Sequence, residues 1–261
     1  MESQDRLKGS RVQSVERALM IVDVLAEKGS SMSLTQISQQ LGWPKSTVHG
    51  LLSTLRDYNY ITQSEEDGRY WFGARLFELG NQVARSWDIR DAALPAMKRL
   101  NAEFGETVHL GMEDNGEVLY LEKIESDDLV SIMSDVGVRL PMHCSGLGKT
   151  LLAQKSKAEL QRFVNTKGLQ AFTSNTITSL AKLEGELERI RSQGYAVDDG
   201  EIMNGLRCVA APIADMNGRV RYAISVSGHS RDIHGGRLDR LILQVRRAAG
   251  EISYALGNRR T

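Results

Sequence analysis

A run of small polar side chains near the start of the chain could form hydrogen bonds with the edges of DNA bases. At about 100° per residue, one side of a helix over residues 45–57 collects Ser46, His49, Gly50 and Ser53. The opposite side collects Val48, Leu51, Leu52 and Leu55. A helix with one apolar side and one nearly bare polar side can dock on a core and still enter the DNA major groove.

The first turns of this helix are predicted to read bases. The side chains assigned to base edges are Lys45, Ser46, Thr47 and His49. Arg56 lies two turns further along and is expected to meet a phosphate or to hold an internal acid. Arg69 follows in a turn, where a phosphate or minor-groove contact and a plain solvated charge are equally compatible with the pattern.

A second candidate for chemistry is the segment Ser145-Gly146-Leu147-Gly148-Lys149-Thr150, which ends like a nucleotide-binding phosphate loop. That motif needs a glycine five residues before Gly148, and His143 stands there. The segment therefore does not predict nucleotide hydrolysis. It favours a loop whose amides at Gly146 and Leu147 open a helix, an arrangement that suits a carboxylate.

Four further polar residues are scattered through the second half of the sequence. Ser225 and Ser227 are two apart and so face the same side of a strand, and Cys208 lies on the neighbouring strand. The residues alone leave two interpretations open, a shared polar pocket or ordinary strand polarity with a small buried thiol. Asp198 would repel a carboxylate, so in a pocket it is expected to meet a hydroxyl group.

The sequence gives little support to a metal site or to a catalytic site. The residues that could bind a metal are Cys144, Cys208, His109 and His143, and they include no pair at ligand spacing. A Cys208 nucleophile would need a histidine base, and no acid–base pair is suggested nearby. We predict no metal, no cofactor and no catalytic residue.

The elements that must position these residues form two domains. Helices are predicted over residues 12–28, 34–41 and 44–57, followed by strands 60–63 and 70–72 around Asp67-Gly68. Three helices and a hairpin predict a winged helix-turn-helix over residues 12–73. A disordered arm is expected over residues 1–11 and a linker helix over residues 74–88.

Residues 89–261 alternate helices and strands. The predicted strands are 107–112, 118–123, 129–133, 208–214 and 220–227, and the predicted helices are 89–104, 146–153, 160–165, 180–193 and 237–256. Short turns at Asn115-Gly116 and Asn217-Gly218 join strands that follow each other. Sequential hairpins with helices alongside predict an α+β fold with an antiparallel sheet rather than a doubly wound parallel one.

Composition is that of an ordinary globular protein, with 261 residues, 41% hydrophobic residues and a net charge of zero. Between Arg6 and Arg56, however, seven basic and three acidic side chains give +4, so attraction to phosphate would be local. No apolar run approaches the roughly 20 residues of a membrane span. A polar N-terminus and two cysteines predict a cytoplasmic protein with no membrane partner.

The chain resembles the IclR family of bacterial transcriptional regulators from about Val12 to Gly257. The segments that carry the resemblance are Val12–Leu19, Pro44–His49, Leu140–Lys149, Gly194–Asp198, Gly205–Ala210 and Ala223–Gly228. Their order and spacing are specific to that family. The resemblance implies a winged helix-turn-helix joined by a linker helix to a GAF-like effector-binding domain. It also implies a homodimer or a dimer of dimers, without catalysis.

The resemblance also bears on the sites. It favours the shared pocket, because the positions matching Gly146 and Leu147 contact small acids in the family. It also implies that Asp198, Cys208, Ser225 and Ser227 belong to this effector pocket. One position departs from the family, which commonly has an arginine where Gly50 stands. Either the backbone approaches the groove closely there, or base reading shifts to the neighbouring side chains.

These observations predict a repressor that binds double-stranded, palindromic operator DNA. Its effector is predicted to be a small organic acid or sugar acid, and its targets to be catabolic genes. The rival interpretation is a metabolite-binding or enzymatic α+β protein whose N-terminal helices serve only oligomerisation.

Overall fold

A computed structural model describes residues 12–85, 88–126 and 135–259, and the chain divides into two units, Met1–Ser86 and Trp87–Thr261. The predicted arm over residues 1–11 lies outside the described residues. The elements of the first unit are α1 (Gln13–Lys28), α2 (Leu34–Leu41), α3 (Lys45–Asp57), β1 (Ile61–Gln63), β2 (Tyr70–Phe72) and α4 (Ala74–Arg85). The predicted linker helix corresponds to α4 and belongs to this unit.

Local signals set the ends of the first helices. Gly29 takes a left-handed conformation (φ 64°) and ends α1. Ser33 and Gln36 form a reciprocal capping box at the start of α2. The three helices then pack around fully buried residues, among them Ile21, Ile37 and Leu52. The predicted helix-turn-helix and its hairpin are confirmed, with β1 and β2 antiparallel.

The second unit contains the larger sheet. Its elements are α5 (Asp88–Phe104), β3 (Thr107–Asp114), β4 (Glu117–Ile124), β5 (Arg139–Pro141), α6 (Gly146–Leu152), α7 (Lys157–Lys167), α8 (Leu180–Gln193), β6 (Ala196–Asp199), β7 (Leu206–Ala214), β8 (Val220–His229) and α9 (Gly235–Ala255). Within the described residues, six antiparallel strands are ordered β5-β4-β3-β8-β7-β6.

Two apolar layers cover this sheet. Residues such as Val209 and Val226 pack with α5 and α9 on one face. Residues such as Ala210 and Ala223 pack with α6, α7 and α8 on the other. Because neighbouring strand residues alternate between these faces, Cys208, Ser225 and Ser227 point toward α6. The predicted α+β class with an antiparallel sheet is confirmed.

Two short edge strands were not predicted from the sequence. β5 and β6 have three and four residues and each pairs with one neighbour. The predicted strand 129–133 lies outside the described residues. None of the helices in the described segments is both long enough and apolar enough to cross a membrane.

Candidate nucleic-acid interface and effector pocket

The recognition helix α3 has two opposed faces. Val48 and Leu52 are fully buried in the core of the first unit. Ser46 and His49 are exposed on the other side, and Lys45 is exposed at the start of the helix. Thr47 is half-buried. The predicted base-reading residues are therefore available to an external partner, except for part of Thr47.

Gly50 leaves open space on this face. A Cβ built at Gly50 would meet no atom within 4 Å, and the glycine does not have a positive φ. Neither packing within the first unit nor backbone strain requires glycine here. Both explanations of Gly50, a close approach of the groove or base reading by its neighbours, stay predictions.

The two candidate phosphate-binding arginines have partners within the first unit. Arg56 Nη1 donates to Gln63 Oε1 at 2.9 Å. Arg69 Nη2 and Nε donate to the Ser31 carbonyl oxygen at 2.6 and 3.2 Å. Arg69 thus ties the wing to the α1–α2 connection, a role that the sequence analysis did not include. Phosphate contacts by these arginines stay predictions.

A cavity of about 170 Å³ lies between the sheet and α6. Its wall is formed by Tyr120, Leu140, Ser145, Gly146, Leu147, Asp198, Ile202, Met203, Leu206, Cys208, Ser225 and Ser227. All six residues predicted to bind the effector are in this list. Of the expected apolar wall, Leu140 and Leu147 are present, whereas Met142 is buried in the core nearby and does not line the cavity.

Strand register explains how residues distant in sequence meet. Asp198 on β6 is opposite Cys208 on β7, and Cys208 is opposite Ser227 on β8. Ser225 lies two residues earlier on β8, opposite Ala210. These polar groups therefore form one patch that runs across three neighbouring strands.

The start of α6 closes one side of the cavity. Ser145 caps the helix by accepting a hydrogen bond from Gly148 N at 3.2 Å, while its own hydroxyl donates to Pro141 O at 2.9 Å. A Cβ at Gly146 would lie 3.3 Å from Ala210 Cβ, so the helix start rests closely on β7. The first amides of a helix have no intrahelical acceptor, and the residues Gly146 and Leu147 at this helix start line the cavity.

Asp198 dominates the electrostatics of the cavity. It is fully buried, and its Oδ1 accepts a hydrogen bond from Glu201 N at 2.8 Å. Its Oδ2 has no hydrogen-bond partner. Burial raises the pKa of Asp198 to about 7, and burial together with the nearby Asp198 charge raises the pKa of the Cys208 thiol. The thiol is thus neutral and unsuited to nucleophilic chemistry.

Lys149 lies behind the cavity and is 1% exposed. Its Nζ donates to Val197 O at 2.7 Å, to Glu186 Oε1 at 3.3 Å and to the Glu201 carboxylate. The lysine of the Gly-Lys-Thr sequence is therefore an internal cation that joins α6 to α8 and to the loop after β6. Sequence offered no signal for this role, because lysine is almost never fully buried.

An aromatic pair borders the serines and was also missed. The rings of His109 and Tyr120 stack with centroids 4.7 Å apart. Burial lowers the pKa of His109 to about 3, so its imidazole is neutral at physiological pH. The other cavity residues not foreseen are Ile202 and Met203, which lie in the loop after β6, and Leu206, the first residue of β7.

The residues considered for metal binding do not form a metal site in the described part of the chain. Cys144 and Cys208 are buried free thiols, and His143 Nε2 lies 2.9 Å from Gln170 O. Among the residues that the structure describes, no group of three or more His, Cys, Asp or Glu side chains could hold a metal ion.

Two family models match the chain. Residues 14–65 match the IclR helix-turn-helix domain. Residues 81–254 match the bacterial transcriptional regulator IclR C-terminal domain. Together they cover most of both units.

Full-length relatives agree with these matches. The chain is 39% identical over 246 residues to the HTH-type transcriptional regulator XynR of Escherichia coli, covering 94% of this chain and 98% of that protein. It is 34% identical over 252 residues to the acetate operon repressor of Salmonella typhimurium, covering 96% and 92%. The crystal structure of Thermotoga maritima IclR superposes with a TM-score of 0.78 at 30% identity, covering 95% and 100%.

Proposed function

Since this chain belongs to the IclR family of bacterial transcriptional regulators, we propose that it is a repressor of catabolic genes whose operator affinity is controlled by a small carboxylate. Members of this family are DNA-binding regulators, often repressors, with a C-terminal effector-binding domain, rather than enzymes. The enzymatic rival is therefore set aside. The observation that carries the proposal is a cavity that joins Asp198, Cys208, Ser225 and Ser227 beside the start of α6.

The exposed face of α3 supports the operator contact. Ser46 and His49 offer hydrogen-bonding groups without bulk, and Lys45 adds a positive charge at the helix start. Base-edge contacts from such side chains determine sequence preference, while phosphate contacts determine register and affinity. We assign base reading to Lys45, Ser46, Thr47 and His49, with Gly50 allowing close approach and Arg56 and Arg69 near phosphates.

Assembly into a homodimer or a dimer of dimers follows from the same proposal. A twofold-symmetric protein matches a palindromic operator with two recognition helices. Exposed apolar side chains support such contacts, because exposed apolar surface marks interfaces. Examples are Val15 and Leu19 on α1 and Phe77 on α4, at 56%, 59% and 76% exposure. A regulator of this kind works in the cytoplasm, where the DNA is.

The cavity supports a small acid as effector. The hydroxyls of Ser225 and Ser227 and the amides of Gly146 and Leu147 offer donors, and Leu140 and Leu147 offer apolar wall. Such a set suits a hydroxy acid, keto acid or sugar acid. One relative is a repressor of an acetate operon, which supports genes of carboxylate catabolism as the targets of this protein.

The DNA-binding part is tested by His49→Ala. Because a base-edge contact contributes about 1–3 kcal/mol, the variant should lose about tenfold or more in affinity for the operator while its binding to unrelated DNA changes little. Mobility shift with the DNA upstream of the regulated gene measures both. His234→Ala, an equally exposed histidine in the second unit, is the matched control. Equal operator affinity for His49→Ala and the wild type would contradict the assignment.

The effector part is tested by Ser227→Ala. The variant should bind operator normally but respond at least about tenfold more weakly to a panel of glycolate, lactate and gluconate, because a buried hydroxyl contact is lost. The measurement is the concentration that halves the mobility shift. Ser192→Ala on the exposed side of α8 is the control. Loss of operator binding with an unchanged response would mean that the pocket has been misassigned.

A further inference from the structure

We propose that the effector pocket takes up a proton together with a small monocarboxylate, so that Asp198 in the complex is a neutral carboxylic acid that donates a hydrogen bond to a hydroxyl or carbonyl oxygen of the ligand. This inference rests on the proposed function. It adds the protonation state of Asp198. It also narrows the ligand class to monocarboxylic acids that carry a second, uncharged oxygen group, as opposed to dicarboxylates or amines.

The surroundings of Asp198 favour the acid form. The carboxyl group is fully buried; Glu201 N donates to its Oδ1, and the neutral Cys208 thiol on the neighbouring strand is the other polar group beside it. Asp198 lines the cavity, and its buried Oδ2 accepts no hydrogen bond that meets normal geometry. A buried carboxylate needs several donors to offset lost hydration, whereas a carboxylic acid needs one acceptor for its proton. A ligand oxygen facing Oδ2 would supply that acceptor.

Charge balance behind the cavity points the same way. Asp198 and Glu201 are both buried, and the cation beside them is Lys149. Lys149 is already bound to the Glu201 carboxylate and to Glu186. If both buried acids were ionised, one negative charge would lack a counter-charge. Burial raises the pKa of both acids, that of Asp198 to about 7. Because Glu201 holds the lysine, Asp198 is the acid that keeps its proton.

The other titratable groups around Asp198 do not change this balance. They are Tyr120 on β4, Cys144 before α6, Lys149 on α6, Glu186 on α8, Asp199 on β6, Glu201 after β6 and Cys208 on β7. Burial raises the pKa of the Tyr120 phenol and of both thiols, so these remain neutral. Asp199 pairs with Arg207 at 2.6 Å.

The cavity wall itself contains an acid but no lysine, arginine or histidine among the described residues. An anionic ligand would therefore be repelled by an ionised Asp198, and the wall offers neutral donors but no positive charge to offset the repulsion. Taking a proton from water removes this repulsion and converts Asp198 into a donor. A second carboxylate on the ligand would bring in a further negative charge that no cation in the described wall offsets, which disfavours dicarboxylates.

Calorimetric titration of the full-length protein with sodium lactate between pH 6.5 and 8.5 tests the proposal. Above the pKa of Asp198, the dissociation constant should rise by roughly tenfold per pH unit, as linkage to one proton requires. Titration in buffers of different ionisation enthalpy should give an uptake approaching one proton at pH 8.5. Propionate, which lacks the hydroxyl, should bind several-fold more weakly at pH 6.5.

Asp198→Asn isolates the protonation step, because an amide resembles the neutral acid and cannot titrate. Its lactate affinity should lose the pH dependence seen in the wild type. Asp199→Asn removes the same charge one residue away, outside the cavity, and should keep that dependence. If Asp198→Asn does not fold, the proton uptake of the wild type on lactate binding still tests the proposal.

Two results would overturn the proposal. One is lactate binding by the wild type that is independent of pH or tightens as pH rises. The other is the absence, at pH 6, of an infrared carbonyl band of a protonated acid in the wild-type minus Asp198→Asn difference spectrum. The infrared band requires no ligand. A protein that has the band but binds no carboxylate would contradict the proposed effector and not the protonated state of Asp198.

Discussion

Replacing Gly148 by alanine is expected to destabilise the second unit by about 3 kcal/mol, the upper end of the usual range for overpacking, or to unfold it. Gly148 lies in the first turn of α6, where helix propensity alone would favour alanine by about 1 kcal/mol. A Cβ there would overlap the Met142 backbone. Since backbone cannot move aside as a flexible side chain can, α6 would have to lift from the segment that precedes it.

The matched control for this variant is Gly185→Ala on α8. A Cβ at Gly185 would meet no atom within 4 Å, so this variant should gain about 0.5–1 kcal/mol. Urea unfolding of the full-length proteins, followed by circular dichroism, measures both. Equal midpoints for Gly148→Ala and the wild type would show that the contact with Met142 does not limit the position of α6.

Replacing Lys149 by methionine is expected to cost about 3–5 kcal/mol, the range for removing one partner of a buried ion pair. The lysine is 1% exposed and binds Glu201, Glu186 and Val197 O. Without it, Glu201 would be left as an uncompensated buried charge. Lys182→Met, at an exposed position of α8, should change stability by less than about 0.5 kcal/mol.

The double variant Lys149→Met/Glu201→Gln should recover part of the loss, because the orphaned charge is removed with its partner. The pH dependence has a definite sign. Burial already raises the pKa of Glu201 in the wild type. Loss of Lys149 raises it further, so the folded variant binds more protons than the folded wild type and the deficit should shrink as pH falls. Unfolding of the single and double variants at pH 8 and pH 6 measures both effects. If the loss in free energy of unfolding is the same at both pH values and is not reduced by Glu201→Gln, it comes from packing alone.

Lys149 also connects stability with effector sensing. It joins α6, whose start borders the cavity, to Glu201, whose amide holds Asp198. A soluble Lys149 variant would therefore lose the defined position of Asp198 even where the fold survives. This connection is absent from the sequence-based prediction, which considered Lys149 only as the end of a phosphate loop.

Much of the first unit could be predicted because its signals are local. Ser33 caps the helix that it precedes, Gly29 ends α1 with a left-handed conformation, and the apolar spacing of Val48 and Leu52 identifies the buried face of α3. Arg69 could not be predicted in the same way. Its partner Ser31 is 38 residues away, and no periodicity relates the two positions.

In the second unit, the sequence by itself determined the α+β class, the main helices and the hairpin turns, since these depend on periodicity and turn residues within a few positions. Tertiary structure alone decided the edge strands β5 and β6, the burial of Lys149 and the contribution of Tyr120 and of the loop after β6 to the cavity. The physical reason is the strand order: β3 pairs with β8, which brings Thr107 opposite Ser227. Such long-range pairing depends on the packing of whole layers, and local sequence does not contain it.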